Sequence, residues 1–301
     1  FVVSVPASAW REGTYGYTVS LAGTSGDAAG ITASYVFNGL GVDLTAPTMV
    51  ASMQGAQDNV GTIVGDIWGT STSATSDDTS PTLGGTLSAA LTGDARVVVY
   101  RQDVTGTPGA LERVTGSEGL KPAGTSWSLS DSGLVNGRSY LYTAYVEDAA
   151  GNRSTAGTAK TLTIDTTAPL VGVSAASLSA DTGSSSTDGL TNVANQTISG
   201  TLGLALVSGE KLLGSLNGGV SWQDLTGMVS GTGFSWSGVT LQPGQGSIQF
   251  KVVDAAGNEG SVATYSTNLD TTAPGAPTAA ADLPEAVSYT HLRAHETGRN
   301  L

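Results

Sequence analysis

DAAGN stands at residues 148–152 and again at 254–258, and a near copy, DAAGI, stands at 27–31. Each copy is followed 16 or 17 residues later by an acidic Thr-Ala-Pro phrase: DLTAP from Asp43, DTTAP from Asp165 and DTTAP from Asp270. An Asp that opens a tight phrase, with Gly three residues on, is the chemistry of a type I turn closed by a residue that accepts positive φ. GSIQFKVV runs into the copy at 254, and in it Ile248, Phe250 and Val252 alternate with Gln249 and Lys251. That is the period of a half-buried strand. Tyr142, Ala144 and Val146 repeat it before the copy at 148, and Ala159, Thr161, Thr163 and Asp165 alternate after it, up to Pro169, which stops ladder pairing. The repeated phrase is therefore expected to join two antiparallel strands near the end of a β-unit.

The Thr-Ala-Pro phrases lie 122 and 105 residues apart. Such a period is too long for a solenoid repeat and suits a sandwich domain of roughly 100 residues. Other landmarks keep step. Trp10, Trp127 and Trp236 precede their DAAG phrases by 17 to 21 residues, and GGTL from Gly84 answers SGTL from Ser199. ARVVVYRQ from Ala95 supplies a central strand, and Trp127 and Trp236 are expected in the core. The expected fold is all-β: tandem Ig-like β-sandwich domains arranged as an elongated rod. Residues 1–44 read as the C-terminal part of a truncated domain, 45–166 and 167–271 as two whole domains, and 272–286 as the start of another. The opening, FVVSVPASAW, has no initiator Met and reads as the middle of a longer chain.

Composition limits the function. The chain has 301 residues, 42 of them Gly, with 25 acidic against 12 basic side chains and a net charge of −13. A nucleic-acid backbone or an anionic membrane would be repelled, whereas divalent cations are the natural counterpart. Cysteine is absent, so neither disulfides nor thiolate zinc sites hold the fold. No apolar run approaches the roughly 20 residues of a membrane helix. Residues 287–301, beginning VSYTHLRAHET, break with the small-residue character of the rest and hold both histidines, His291 and His295. They resemble one reading frame of a transposon adaptor used in sequencing-library preparation and are expected to be non-native; a metal pair at the two histidines is the alternative reading.

DAAGN followed by DTTAP, with SLNGGVSWQDLTG at 215–227 and the DTG…TDG run at 181–189, resembles the bacterial Ig-like repeats of large Gram-negative adhesins and biofilm-associated proteins. The resemblance covers about residues 10 to 286. It implies a cell-surface, extracellular protein exported by type I secretion, with stacked domains stiffened by calcium. Ile31 in place of Asn makes the first unit depart from the pattern.

Strand direction places the carboxylates. In a seven-strand sandwich the turn between the last two strands lies at the end where the chain comes in, and the first long loop lies where it leaves. DAAGN therefore belongs to the N-terminal end of its domain. Asp58, Asp66, Asp77 and Asp78 in one domain, and Asp181 and Asp188 in the next, belong to C-terminal ends beside the Thr-Ala-Pro linker. Stacking brings these groups together: Asp165 with Asp58, Asp66, Asp77, Asp254 and Asn258, and, at the flanking junctions, Asp43 with Asp148 and Asn152, and Asp270 with Asp181 and Asp188. Crowded carboxylates repel unless a cation intervenes, and Ca²⁺ takes about 6 to 8 oxygen ligands at about 2.3 to 2.6 Å. Each Asp is equally well read as a turn former for its own hydrogen bonds, and no stretch matches an EF-hand loop.

Three function classes follow. The first is a structural spacer of a surface adhesin, with neighbouring repeats as partners and a host or abiotic surface, glycan or matrix as the parent protein's target. The second is a module that itself binds glycan or receptor through Trp222 or Trp68; Trp68, in the Gly/Ser stretch GDIWGTSTS, is expected to be exposed. The third is an enzyme. Without the tail no His or Cys remains to build a nucleophile–base pair, and the only surviving chemistry is a paired-carboxylate glycosidase, for which these Asp residues lack a hydrophobic pocket.

Overall fold

The computed structural model describes residues 10–22 and 32–276. The DAAGI copy at 27–31 and the segment 287–301 lie outside the described residues. The chain opens on an antiparallel pair, β1 (Gly13–Ala22) and β2 (Thr32–Val42), with Tyr17 facing Phe37 across it. The rings of these two residues stack, and both stay exposed, as does Tyr35.

The first full unit contains β3 (Ala51–Asp58), β4 (Gly65–Asp66), β5 (Ser73–Ser76), β6 (Thr82–Leu87), β7 (Arg96–Asp103), β8 (Leu111–Arg113), β9 (Ser126–Ser130), β10 (Ser139–Glu147) and β11 (Lys160–Ile164). One sheet has the order β4-β3-β6-β9 and the other β5-β11-β10-β7-β8. The first edge strand changes sheets: β3 pairs antiparallel with β6, and β5 then pairs parallel with β11. The second unit repeats the plan with β12 (Val173–Leu178), β13 (Leu190–Thr191), β14 (Asn195–Leu202), β15 (Lys211–Ser215), β16 (Gln223–Asp224), β17 (Val229–Ser230), β18 (Gly233–Thr240), β19 (Ser247–Val253), β20 (Ala263–Ser266) and β21 (Asn268–Leu269). Its sheets are β12-β14-β18-β17 and β16-β15-β19-β20, and β13 pairs parallel with β21. Both units are Ig-like Greek-key sandwiches.

Each sandwich closes over its own core. Met53, Trp68, Leu83, Tyr142, Leu162 and Ile164 are fully buried in the first, and Ile198, Leu212, Leu225, Leu241 and Phe250 in the second. The alternation before each DAAGN is the buried face of the sixth main strand: Tyr142, Ala144 and Val146 are at 0% exposure, and Ile248, Phe250 and Val252 at 2% or less. Lys251, on the opposite face, is covered too; its ammonium reaches Glu259 at 2.6 Å and lies over the Trp222 ring. β7 runs between β10 and β8, as a central strand should.

The GGTL and SGTL phrases have a steric cause. Gly85 lies opposite Trp127 and Gly200 opposite Phe234 in the antiparallel ladders. A Cβ on Gly85 would come within 2.2 Å of the Trp127 ring, and one on Gly200 within 2.4 Å of Phe234. The glycines make room for an aromatic ring laid across the strand. This register corrects the tryptophan landmark: the counterpart of Trp127 is Phe234, and Trp236, opposite Ile198, answers Leu129, opposite Leu83. Trp127 and Trp236 are both buried, as expected.

Trp68 is where the sequence misleads. It is 2% exposed, its indole N–H donates to the Thr161 carbonyl at 2.8 Å, and its ring meets Tyr142 edge-on. The Gly/Ser neighbours that suggest an open loop let the chain fold the indole inward against β10 and β11.

One buried charge is fully neutralised. Glu147, 3% exposed, accepts from Arg96 Nη2 and Arg113 Nη2 at 2.6 Å each and from Arg153 Nε at 3.2 Å. Burial works against ionisation, but the three guanidiniums outweigh it and hold the carboxyl below its ordinary 4.5. Glu147→Gln would leave three partly exposed guanidiniums around a neutral group and is expected to cost about 1.5 kcal/mol at neutral pH. A folded pKa below the unfolded one contributes stability that is present above the unfolded value and lost as pH falls through the folded one. The gap between wild type and Glu147→Gln in thermal melting should therefore shrink as pH drops below 4.5.

Candidate metal centre at the domain junction

The two repeated phrases form the two halves of one joint. In the turn, Asp254 Oδ1 accepts the N–H groups of Ala256, Gly257 and Asn258 at 2.9, 2.9 and 3.0 Å, while Oδ2 accepts Asn258 Nδ2 at 2.9 Å. Asp148 does the same with Ala150 and with the backbone and side chain of Asn152, each at 2.9 Å. Gly257 and Gly151 carry φ of 103° and 93°, the left-handed step the phrase needs. Burial raises the Asp148 pKa, but these hydrogen bonds win and hold it below the ordinary carboxylate value. In the linker, Asp43, Asp165 and Asp270 each accept the N–H two residues on, from Thr45, Thr167 and Thr272 at 3.0, 3.0 and 2.8 Å. DTTAP is thus an Asx turn that aims the chain out of its sandwich.

The Asn side chain couples the halves. Its second amide hydrogen crosses the boundary, from Asn258 Nδ2 to the Asp165 carbonyl at 2.8 Å and from Asn152 Nδ2 to the Asp43 carbonyl at 3.0 Å. At the junction between the full sandwiches, the Gly257 carbonyl also accepts Thr62 Oγ1 at 2.8 Å and Thr62 N at 3.4 Å. The turn of one sandwich therefore sits on the first long loop of the one before it.

Under that contact lie Asp58, Asp77 and Asp78, all buried. Asp58 accepts Val60 N–H at 2.9 Å and the Ser76 hydroxyl at 2.5 Å, and Asp78 accepts Ser80 N–H at 2.7 Å. Asp77 differs. It is 9% exposed, and its Oδ1 is buried without a hydrogen-bond partner. Gly61 presses against its other oxygen, where a Cβ would come within 2.1 Å. Burial, then the neighbouring charge of Asp58, and further Asp254 and Asp78, push its pKa above the ordinary value. Asp254 belongs to the following sandwich, so the carboxylates of two domains act on one another here.

The other expected ligands are placed differently. Asp66 is exposed, and its Oδ1 accepts Ala56 N–H and Trp68 N–H at 3.2 Å each, beside the irregularity in β3 at Gly55. Its carboxylate braces its own sandwich. Asp181 accepts Gly189 N–H at 3.0 Å and Asp188 accepts Leu190 N–H at 3.0 Å, and both line a cavity at the seam of the second sandwich. The counterpart of Asp77 is Asn192: Thr191, like Ser76, gives its carbonyl to the linker Asp N–H at 2.9 Å, and Asn192 follows it to flank Asp270. Asn192 is an addition to the expected set, and the parallel edge pairing that places it leaves no mark in the local sequence.

The donors at the main junction are all oxygens, which suits a hard cation, and Asp77 Oδ1 has a lone pair with nothing to accept. Among the described residues no three His, Asp or Glu side chains form a metal-holding group by themselves. For a hard cation placed here, Asp77 and Asp58 are the carboxylates at hand, and the remaining ligands would have to be carbonyl or hydroxyl oxygens.

No protein-family model and no curated protein matches the chain. Among solved structures it is similar to the crystal structure of the chicken CNTN1 FN1-FN3 domains, at 11% identity and a TM-score of 0.38, over 77% of this chain and 68% of that one. No helix among the described residues is long and apolar enough to cross a membrane.

Asn258→Ala removes the crossing hydrogen bond while leaving Asp254 its three backbone donors. It is expected to cost about 1 kcal/mol and to widen the relative motion of the two sandwiches, read as a change in residual dipolar couplings between them.

Proposed function

We propose that the chain is a spacer segment of a repetitive bacterial cell-surface adhesin, extracellular and non-catalytic, whose stacked Ig-like sandwiches are stiffened by calcium at their junctions. The observation that carries the reading is the repeated joint: the Asn closing each DAAGN turn donates to the carbonyl of the preceding linker Asp, at 3.0 Å in one junction and 2.8 Å in the next. A contact repeated between successive domains fixes their relative setting, which is what a spacer needs and what a ligand-binding module does not. The resemblance of DAAGN…DTTAP to adhesin repeats supports export by type I secretion and a role in adhesion and biofilm formation. The unpartnered Asp77 oxygen supports calcium, with Asp77, Asp58 and the adjoining Asp165 and Asp254 segments as its surroundings. The receptor-binding alternative loses its best residue, because Trp68 is buried. The tail at 287–301 is proposed to be adaptor-derived.

Calcium sites of extracellular modules bind at about 10⁻⁴ to 10⁻³ M, so such a junction would stay open in cytosol and fill outside the cell. At about 100 times the dissociation constant the ion would add about 2.7 kcal/mol. Small-angle scattering and thermal melting of the chain in EDTA and in calcium test this. Calcium should lengthen and stabilise the wild type. Asp77→Asn should melt no lower than wild type in EDTA, having shed a repelled charge, and should lose the calcium response. Asp66→Ala, which removes the acceptor of the Ala56 and Trp68 N–H groups, should be destabilised equally in both conditions. Superimposable wild-type curves with and without calcium would sink the reading.

A further inference from the structure

The two sandwiches differ at one seam. In the first, Trp68 plugs the gap between the sheets beside β11, donating to Thr161, meeting the Tyr142 ring and lying under the Lys160 ammonium. The ladders give the counterparts of these three contacts. Tyr142 pairs with Lys160 and Ile248 with Tyr265, so Ser266 stands where Thr161 does. The second sandwich has no tryptophan here. Ile248, Tyr265 and Ser266 instead line a cavity of about 250 Å³, floored by Leu178 and Ile198.

Asp181 and Asp188 stand among its walls, with no Lys or Arg. Asp181 Oδ2 accepts the Gly189 N–H, but Oδ1 is buried and has no partner. Neither carboxylate meets a Lys or Arg among the described residues, so the ammonium of a ligand in the cavity would bring them the charged N–H that the chain does not.

We propose that this cavity is a binding site for an aromatic amine, with a planar ring in the place that the Trp68 indole fills next door and its ammonium at Asp181 and Asp188. An apolar cavity of about 150 Å³ accepts benzene, so the larger one has room for a bicyclic ring. The apolar floor and the Tyr265 ring select an aromatic over a polyol, and the two carboxylates exclude an acid. The site does not depend on a metal at the domain junctions.

The test is calorimetric titration of the whole chain in EDTA with tryptamine, indole, indole-3-propionate and glucose, with the Ile248 methyl resonance as a local reporter. Tryptamine should bind about tenfold more tightly than indole, the increment of a charged hydrogen bond, and should shift the Ile248 methyl. Indole-3-propionate and glucose should not bind. Asp181→Asn should bring tryptamine down to the level of indole, and Ile248→Phe, which puts a ring into the space, should abolish both. A blocked Trp-Lys peptide binding as tightly as tryptamine would assign the amine to a partner chain's side chains; a peptide that fails where tryptamine binds would assign it to a free small molecule. Absence of tryptamine binding at millimolar concentration, equal binding of indole-3-propionate, or an unchanged tryptamine affinity in Asp181→Asn overturns the proposal.

Discussion

The Asp–Asn pair that opens and closes DAAGN is the constraint on which the domain stacking depends. Asp254 collects three backbone N–H groups and one side-chain amide hydrogen, so the turn is rigid before it meets anything else. That rigidity fixes the direction of the remaining Asn258 hydrogen, which points at the Asp165 carbonyl of the linker. An Asn held by its own Asp gives up little rotamer freedom when it bonds across the boundary, so most of the hydrogen bond's value survives as orientation. The linker does its part in the same way, its Asx turn presenting the carbonyl of the very residue whose side chain shapes it.

Within that repeated frame the interiors are free to differ, and they do. A glycine faces an aromatic ring at the same place in both sandwiches, but the ring is Trp127 in one and Phe234 in the other. The end of the sixth strand holds Glu147 among three arginines in the first and Val253 in the second, where the charge pairing has moved to Lys251 and Glu259. The seam carries Trp68 in the first and a cavity in the second. Elements at the domain ends repeat and the fillings do not, as expected of domains that share a way of stacking and each solve their own packing.

Local chemistry was legible in the sequence wherever the deciding contacts are local. The period-two runs, the DAAGN turn and the Asx linker all depend on neighbours within five residues, and each appears as read. Trp68 was not legible, because its burial is decided by the Thr161 carbonyl and the Tyr142 ring on distant strands while its own neighbours are loop formers. Asp66 and Asp77 look alike in the sequence, both acidic and both in the first long loop. Their difference lies in whether two amide groups of the same sandwich happen to face them. Asn192 was hidden for a related reason: its place beside Asp270 follows from parallel pairing between the two ends of the domain.

The distribution of positive charge gives the junction its character. Twelve basic residues serve a chain of net charge −13. Those that form ion pairs among the described residues meet Glu147, Asp131, Glu112, Asp94, Asp103, Asp224 and Glu259, and none of them meets Asp58, Asp77, Asp78 or Asp254. Glu147 shows that the fold can offset the charge of a buried carboxylate by placing guanidiniums around it. A single Lys or Arg in the first long loop would do the same for Asp77. With none there, burial and the neighbouring carboxylates oppose the charge of Asp77. Fixed arginines favour the ionised Glu147, whereas burial and crowding favour the protonated Asp77, so one buried carboxylate is held charged by its own sandwich and the other is pushed towards neutrality where two sandwiches meet.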